Sequence, residues 1–266
     1  MSAEPAPGGL EGKGGMEGKK VFFLYPNSVI QTDMVSELIK NEYEIYLVKD
    51  HNKALSLFKK YPDSVVFINI DEGMKEPEWE EYIQTLQNDP DMDQLRIGIL
   101  TYNNDADLAQ KYLMDLMVSA GFVKLSLGLK ESTGIVLKVL EANEARGRRK
   151  YLRVKCGDKN STLNFKSFDK MFVGTVMDIS SVGMACTFDP DPGLAAHAMA
   201  ESIQLKLKGT LCLVSGIVMG TRKDGEQTTY VLLFDPKTGP DIKTKIRNFM
   251  QWSLQSHIEA ELETLK

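Results

Sequence analysis

The chain has 266 residues, 42% hydrophobic and 26% charged, an ordinary globular composition that suggests about two domains, each long enough to bury its own core. No run of about 18 apolar residues occurs, which excludes a membrane-spanning helix. The formal net charge of −5 is unevenly divided: residues 146–266 hold 18 Lys and Arg against 13 Asp and Glu, and residues 1–145 hold 14 against 24. Only the second half attracts anions, and its small excess favours a discrete anionic ligand over nucleic acid.

Met1–Lys19 is rich in Gly, Pro and Glu, lacks the apolar core of a signal peptide, and is expected to be a disordered leader. Residues 20–145 then alternate. Lys20–Leu24 reads as a strand, Gln31–Asn41 as a helix with Met34, Leu38 and Ile39 at helical spacing, and Tyr43–Val48 as a second strand. His51–Lys60 is a helix with Ala54, Leu55 and Phe58 on one face. Ser64–Ile70 is apolar and β-branched, as in a strand buried on both faces. Glu76–Gln87 is helical, Leu95–Thr101 is a fourth strand, and Asp105–Ser119 is a helix that Asp105 caps. Phe122–Leu125 is a short fifth strand, and Ser132–Arg146 is a last amphipathic helix, interrupted by Gly147. This βα alternation predicts an α/β domain with a doubly wound parallel sheet.

That pattern resembles a response-regulator receiver domain. The resemblance implies an acidic pair after the first strand, a phosphoacceptor Asp ending the third, a Thr or Ser ending the fourth and a Lys ending the fifth. Here the first strand runs into Leu24-Tyr25-Pro26 without an acid, and the third ends in Ile68-Asn69-Ile70. Thr101 stands in place, and Lys124 matches loosely. Asp71 and Glu72 are a rival acidic pair, more simply read as a solvated turn. Magnesium needs clustered oxygen ligands that this loop set lacks. The expectation is a pseudo-receiver that is not phosphorylated.

Residues 146–153 form an Arg-bearing linker, and from Tyr151 the apolar period shifts toward two, with Leu152, Val154 and Cys156 alternating with polar residues. In residues 154–266, strands are expected at Thr162–Phe165, Phe172–Met177, Gly183–Phe188, Ser202–Leu207, Thr210–Met219 and Thr228–Phe234. Turns are expected at 189–193, Lys208-Gly209 and Lys223-Asp224-Gly225. Six short strands with close turns predict a small antiparallel β-barrel. Asp241–Leu265 is a long helix with Ile242, Ile246, Met250, Leu254 and Ile258 on one face, and it could pair with another copy. Cys156, Cys186 and Cys212 are odd in number and far apart, and are expected to be reduced and mostly buried in a cytoplasmic protein. His51, His197 and His257 share no ligand spacing, so no metal site is expected.

Two short motifs carry the chemistry. Arg149 and Arg153 are four apart in the linker, and Asp178-Ile179-Ser180-Ser181-Val182-Gly183 follows on a strand-to-turn passage. Guanidinium forks suit phosphate oxygens and the O6/N7 edge of guanine. A carboxylate can accept from guanine N1–H and N2–H2, a hydroxyl can bond phosphate or fix the turn, and Gly permits close backbone approach. Each motif alone is more simply a basic linker or an Asx turn. Together, in this order and before a barrel pattern, they resemble the PilZ domain family, which binds cyclic di-GMP through such a pair. The resemblance spans roughly Arg146 to the C-terminus, and the barrel with its C-terminal helix fits it. It implies that Arg149, Arg153, Asp178, Ser180 and Gly183 contact cyclic di-GMP. Arg148, in the position where an extra Arg accompanies a stacked ligand dimer, would join them. Arg222 and Lys223 read as surface charges, Trp79 and Trp252 as packing or interface residues, and Tyr151 as a core residue.

No nucleophile–base pair, phosphate-binding loop or carboxylate dyad is visible, so no enzyme and no cofactor are expected. The reading is a non-enzymatic bacterial second-messenger receptor for signal transduction, with motility among the processes the family controls. Cyclic di-GMP would close the linker on the barrel and reorient the domains toward a protein effector, without nucleic-acid binding or membrane insertion. The alternative is a nucleotide-independent protein-interaction adaptor with a PilZ-like fold.

Overall fold

The alternating apolar runs of the first half fold as alternating strands and helices. A computed structural model describes residues 18–156, 160–167, 169–225 and 227–264. Its first five strands are β1 (Lys20–Leu24), β2 (Glu44–Val48), β3 (Ser64–Asn69), β4 (Arg96–Thr101) and β5 (Phe122–Lys124), all parallel, in the order β2-β1-β3-β4-β5. Every residue of the central β3 is buried, as a β-branched run covered on both faces should be. The helices are α1 (Val35–Lys40, entered through a π-helical turn over Ile30–Met34), α2 (His51–Lys60), α3 (Glu76–Asn88), α4 (Ala106–Gln110, leaving through a π-helical turn over Lys111–Asp115) and α5 (Leu129–Ala142). Alternation along β1 sends Phe22 and Leu24 into one layer with Phe58 and Trp79, and Val21 and Phe23 into the other with Leu38 and Val136. The doubly wound sheet expected from the pattern is present.

Three local expectations are corrected. The helix expected to run to Arg146 ends at Ala142, because Glu144 takes a left-handed φ of 51° and Ala145 N–H donates to Leu140 O at 2.9 Å. This termination usually carries Gly, and its absence hid the stop. The helix expected over Asp105–Ser119 keeps its cap, Asp105 accepting from Asp107 N–H, but its α-helical part is short. Of the expected leader, residues 1–17 lie outside the described residues. Lys19, however, is tied into the fold: its amide donates to Ala145 O at 3.0 Å and its ammonium pairs with Asp63 at 2.7 Å.

The second half contains β6 (Val154–Lys155), β7 (Ser161–Ser167), β8 (Lys170–Ser180), β9 (Gly183–Asp189), β10 (Met199–Leu207), β11 (Thr210–Asp224) and β12 (Gln227–Phe234). Six of them form a closed antiparallel ring, β8-β7-β10-β11-β12-β9, sealed by β8–β9 pairing, and β6 lies outside it on β8. The interior is filled by residues such as Leu163, Val176, Leu205, Val218 and Leu232. Burial pushes the Cys186 thiol up to about 12, so it packs as a protonated core residue. Lys208 and Gly209 both take positive φ, 46° and 81°, as a tight hairpin turn between twisted strands requires.

The last helix, α6 (Pro240–Thr264), serves both halves. Ile246, Phe249 and Met250 close the barrel core, Ile258 is buried in the first domain, and Leu254 touches both. The Gln255 side chain donates to Leu47 O and accepts from Leu47 N–H, each at 2.9 Å. One amide thereby makes the two bonds that a neighbouring strand would make along the open edge of β2. Further along, Tyr61 donates to Glu261 at 2.8 Å and Lys60 pairs with it at 3.0 Å.

Candidate functional site

Two sequence motifs meet because β6 pairs with β8. Val154 faces Ile179 and Lys155 faces Asp178, and Cys156 N–H adds a bond to Met177 O at 2.8 Å. This pairing brings the end of the Arg linker alongside the Asp-x-Ser-x-x-Gly strand. Along β8, Phe172 and Val176 point into the barrel, and strict alternation would send Asp178 inward as well. A shift in the β8–β9 register between Val176 and Asp178 makes Met177 the extra residue. The bulge turns Ile179 inward and leaves Asp178 half-buried on the outer face, 3.7 Å from Arg153 Nη1.

Arg149, Arg153 and Asp178 border one cavity of about 780 Å3 between the linker, β6, α6 and the edge of the first domain. The size lies within the usual range for small-molecule sites, roughly 300–1,000 Å3. Arg149 is exposed, and among the described residues it makes no ion pair. α6 contributes Trp252 and His257, and the first domain contributes Lys20, Glu42 and Glu44. Lys20 is bound to Glu44 and donates to the Tyr46 hydroxyl at 3.1 Å. Burial, followed by the neighbouring Glu44 charge, pushes the Tyr46 hydroxyl far above its ordinary range, so it remains protonated. The cavity thus offers cationic forks, the carboxylates of Glu42, Glu44 and Asp178, and aromatic surface.

The other expected contacts stand apart from this cavity. Ser180 and Gly183 are buried in the turn, where Ser180 Oγ donates to Gly183 O at 3.1 Å. A Cβ on Gly183 would lie 2.4 Å from Leu232 O, so packing alone requires Gly there. Arg148 is exposed and borders a shallower hollow with Lys19, Asp63 and Glu144. Tyr151, expected in the core, is half-buried and borders the main cavity, with Lys150 over its ring at 5.4 Å. Trp79 is fully buried in the first core. Trp252 packs against the barrel core, carries the Lys208 ammonium 4.2 Å above its ring and reaches the cavity wall.

One residue that sequence reasoning missed ties the first domain to both motifs. Glu42, in the α1–β2 turn, accepts from Leu152 N–H at 2.9 Å and from Ser181 Oγ–H at 2.8 Å. Leu152 lies inside the Arg motif and Ser181 inside the Asp-Ser-Gly motif. Glu42 has a φ of 66° and closes α1 in the same way that Glu144 closes α5, with Tyr43 N–H returning to Leu38 O at 3.2 Å.

The receiver resemblance would put phosphorylation at the C-terminal ends of the parallel strands, where no acid directly follows β1 or ends β3, while Thr101 ends β4 and Lys124 ends β5. Asn69 ends β3, and its amide donates to Tyr25 O at 2.9 Å. Asp71 is exposed as a turn residue should be, but its carboxylate is engaged by the Thr101 hydroxyl and by Tyr102 N–H at 2.7 Å. The Tyr25 ring packs over Gly73 and edge-on to Trp79, and its hydroxyl meets His51 Nδ1 at 2.9 Å. Among the described residues, no cluster of three His, Cys, Asp or Glu could hold a metal ion.

No family model matches the sequence, and no curated protein matches it. Solved structures similar to part of it include YcgR from Escherichia coli in complex with c-di-GMP, with 13% identity over 46% of this chain and 52% of that one, at a TM-score of 0.38. The chain therefore spans about half the length of YcgR; against the PilZ domain of YcgR with c-di-GMP it covers 99% of that chain, at 14% identity and a TM-score of 0.38. The K. pneumonia MrkH–c-di-GMP complex is similar over 45% of this chain and 57% of that one, with 16% identity and a TM-score of 0.37. The Mn2+-bound response regulator Rcp1 is similar over 46% of this chain and 92% of that one, with 19% identity and a TM-score of 0.36. In its own architecture the chain is a doubly wound five-stranded parallel sheet, an Arg-bearing linker and a closed six-stranded antiparallel barrel, joined again by a C-terminal helix.

Proposed function

We propose that the protein is a non-enzymatic receptor for cyclic di-GMP and that the ligand binds in the cavity between linker, barrel and α6. The observation that carries this reading is the meeting of the two motifs: Arg153 lies 3.7 Å from Asp178, with Arg149 on the rim of the same cavity. In the proposed complex one Arg takes guanine O6 and N7 and the other a phosphate, while Asp178 accepts from a guanine Watson–Crick edge. Ser180 and Gly183 shape the turn that presents Asp178. Arg148 joins when the linker turns over at Gly147, which is how a second ligand molecule would be accommodated.

Each charge-assisted bond contributes about 1.5–3 kcal/mol net, so two or three of them, less the cost of ordering the linker, support roughly micromolar binding. The linker is continuous with both domains, so its closure over the ligand reorients them, and the new arrangement is read by a protein partner. A thermal shift with cyclic di-GMP tests the reading. A specific ligand at about 100 times its dissociation constant adds about 2.7 kcal/mol to stability. No shift at saturating nucleotide would instead support a nucleotide-independent adaptor.

A further inference from the structure

Glu42 belongs to the first domain, yet its carboxylate sits in the wall of the proposed ligand cavity. One oxygen takes the Leu152 N–H of the linker at 2.9 Å and the other the Ser181 hydroxyl of the barrel turn at 2.8 Å. Both partners are donors, and both lie within the two motifs proposed to hold the nucleotide. A backbone N–H and a hydroxyl converging on one anionic group are what a phosphate also requires. The left-handed φ of 66° at Glu42 closes α1 and places the residue in the turn that faces the linker and barrel. Ser181 is buried, and its hydroxyl is held by Glu42.

We infer that the Glu42 carboxylate stands in for a ligand phosphate, fastening the first domain to the linker and barrel until cyclic di-GMP displaces it. The inference rests on the proposed receptor function and adds to it the contact that couples binding to domain release. The dianion repels Glu42 and takes over the Leu152 and Ser181 donors. Once its carboxylate is released, the α1–β2 turn loses its hold on the barrel. No covalent step is involved. Glu42 acts as a gate on affinity, and its negative charge is the part that matters.

Calorimetry with cyclic di-GMP on the full chain, comparing wild type with Glu42→Gln, tests this. Gln keeps the length and can still accept from Leu152 N–H, so the fold is retained, while the competing charge is gone. The variant is expected to bind about five- to tenfold tighter, the worth of roughly one net hydrogen bond. The gap should narrow as salt rises from about 50 mM to about 500 mM, because screening weakens the repulsion. Hydrogen exchange supplies an independent readout: in wild type the peptide containing residues 41–44 exchanges faster when the nucleotide is added. Wild type that binds, with Glu42→Gln equal or weaker and exchange at 41–44 unchanged, overturns this inference alone. Wild type that does not bind cyclic di-GMP overturns the receptor function and the inference together.

Discussion

Arg153 and Asp178 are partly exposed, with side-chain accessibilities of 47% and 32%, and their ion pair is long at 3.7 Å. Such a pair contributes under about 1 kcal/mol to folding. Arg153→Ala is therefore expected to leave thermal stability nearly unchanged while lowering cyclic di-GMP affinity about tenfold or more, which calorimetry beside a melting curve separates. Gly183 should behave in the opposite way. A methyl group there would meet Leu232 O at 2.4 Å, so the β9–β12 pairing must give way. Gly183→Ala is expected to cost about 1–3 kcal/mol and to lower the melting temperature by several degrees, with affinity lost only in proportion to unfolding. Arg149, Arg153 and Asp178, which border one cavity, could be singled out as candidates in the sequence because the two motifs depend on residue type and short spacing. Glu42 was not: its hydroxyl partner is 139 residues away, and no local pattern marks a carboxylate that will cross between domains.

The elements followed hydrophobic period closely, and they departed from it where termination depends on one backbone angle. β1 and α2 fall where the pattern put them: β1 is a short apolar run buried on both faces, and Asp50 caps the start of α2, accepting from Asn52 and Lys53 N–H. α5 stops early because a Glu takes the left-handed position that sequence reading reserves for Gly or Asn. α6 shows a related limit. Its apolar stripe was visible, but a stripe does not reveal that its first half covers a barrel and its second half a sheet edge. Gln255 is the residue that makes this docking specific, through paired bonds to Leu47. Gln255→Ala leaves both groups of the β2 edge without a protein partner and is expected to cost about 1–2 kcal/mol. Amide exchange at Leu47 should rise, while exchange in the barrel interior stays as in wild type. Gln255→Glu keeps the acceptor for Leu47 N–H but turns a carboxylate oxygen toward Leu47 O and Glu259, and is expected to cost at least as much as Ala.

At the scale of the whole molecule, the two domains are held by the linker, by Glu42 and by α6, and the cavity lies among all three. The far end of α6 adds a pH-sensitive contact. Burial alone would raise the Glu261 carboxyl, but the Tyr61 hydroxyl, the Lys60 ammonium and His257 outweigh it and hold it below the ordinary Glu value. A lowered folded value means that this docking contributes fully above the ordinary Glu range and is lost as pH falls through the lowered value. Protection of the α6 C-terminal amides, relative to their intrinsic exchange at each pH, is expected to fall on acidification, and Glu261→Gln should flatten that dependence. The sheet and the barrel could be read from pattern because each is built from local runs. Their mutual placement could not, because it rests on single side chains such as Gln255, Glu261 and Glu42 reaching across.

In the proposed receptor, guanidinium groups of the linker and the Asp178 carboxylate hold cyclic di-GMP in one cavity. Isothermal calorimetry of the full chain against its Arg149→Ala/Arg153→Ala double variant tests it most directly. Wild type is expected to bind saturably near or below the micromolar range, and the double variant to lose at least about a hundredfold. Equal affinity in the two proteins would contradict it.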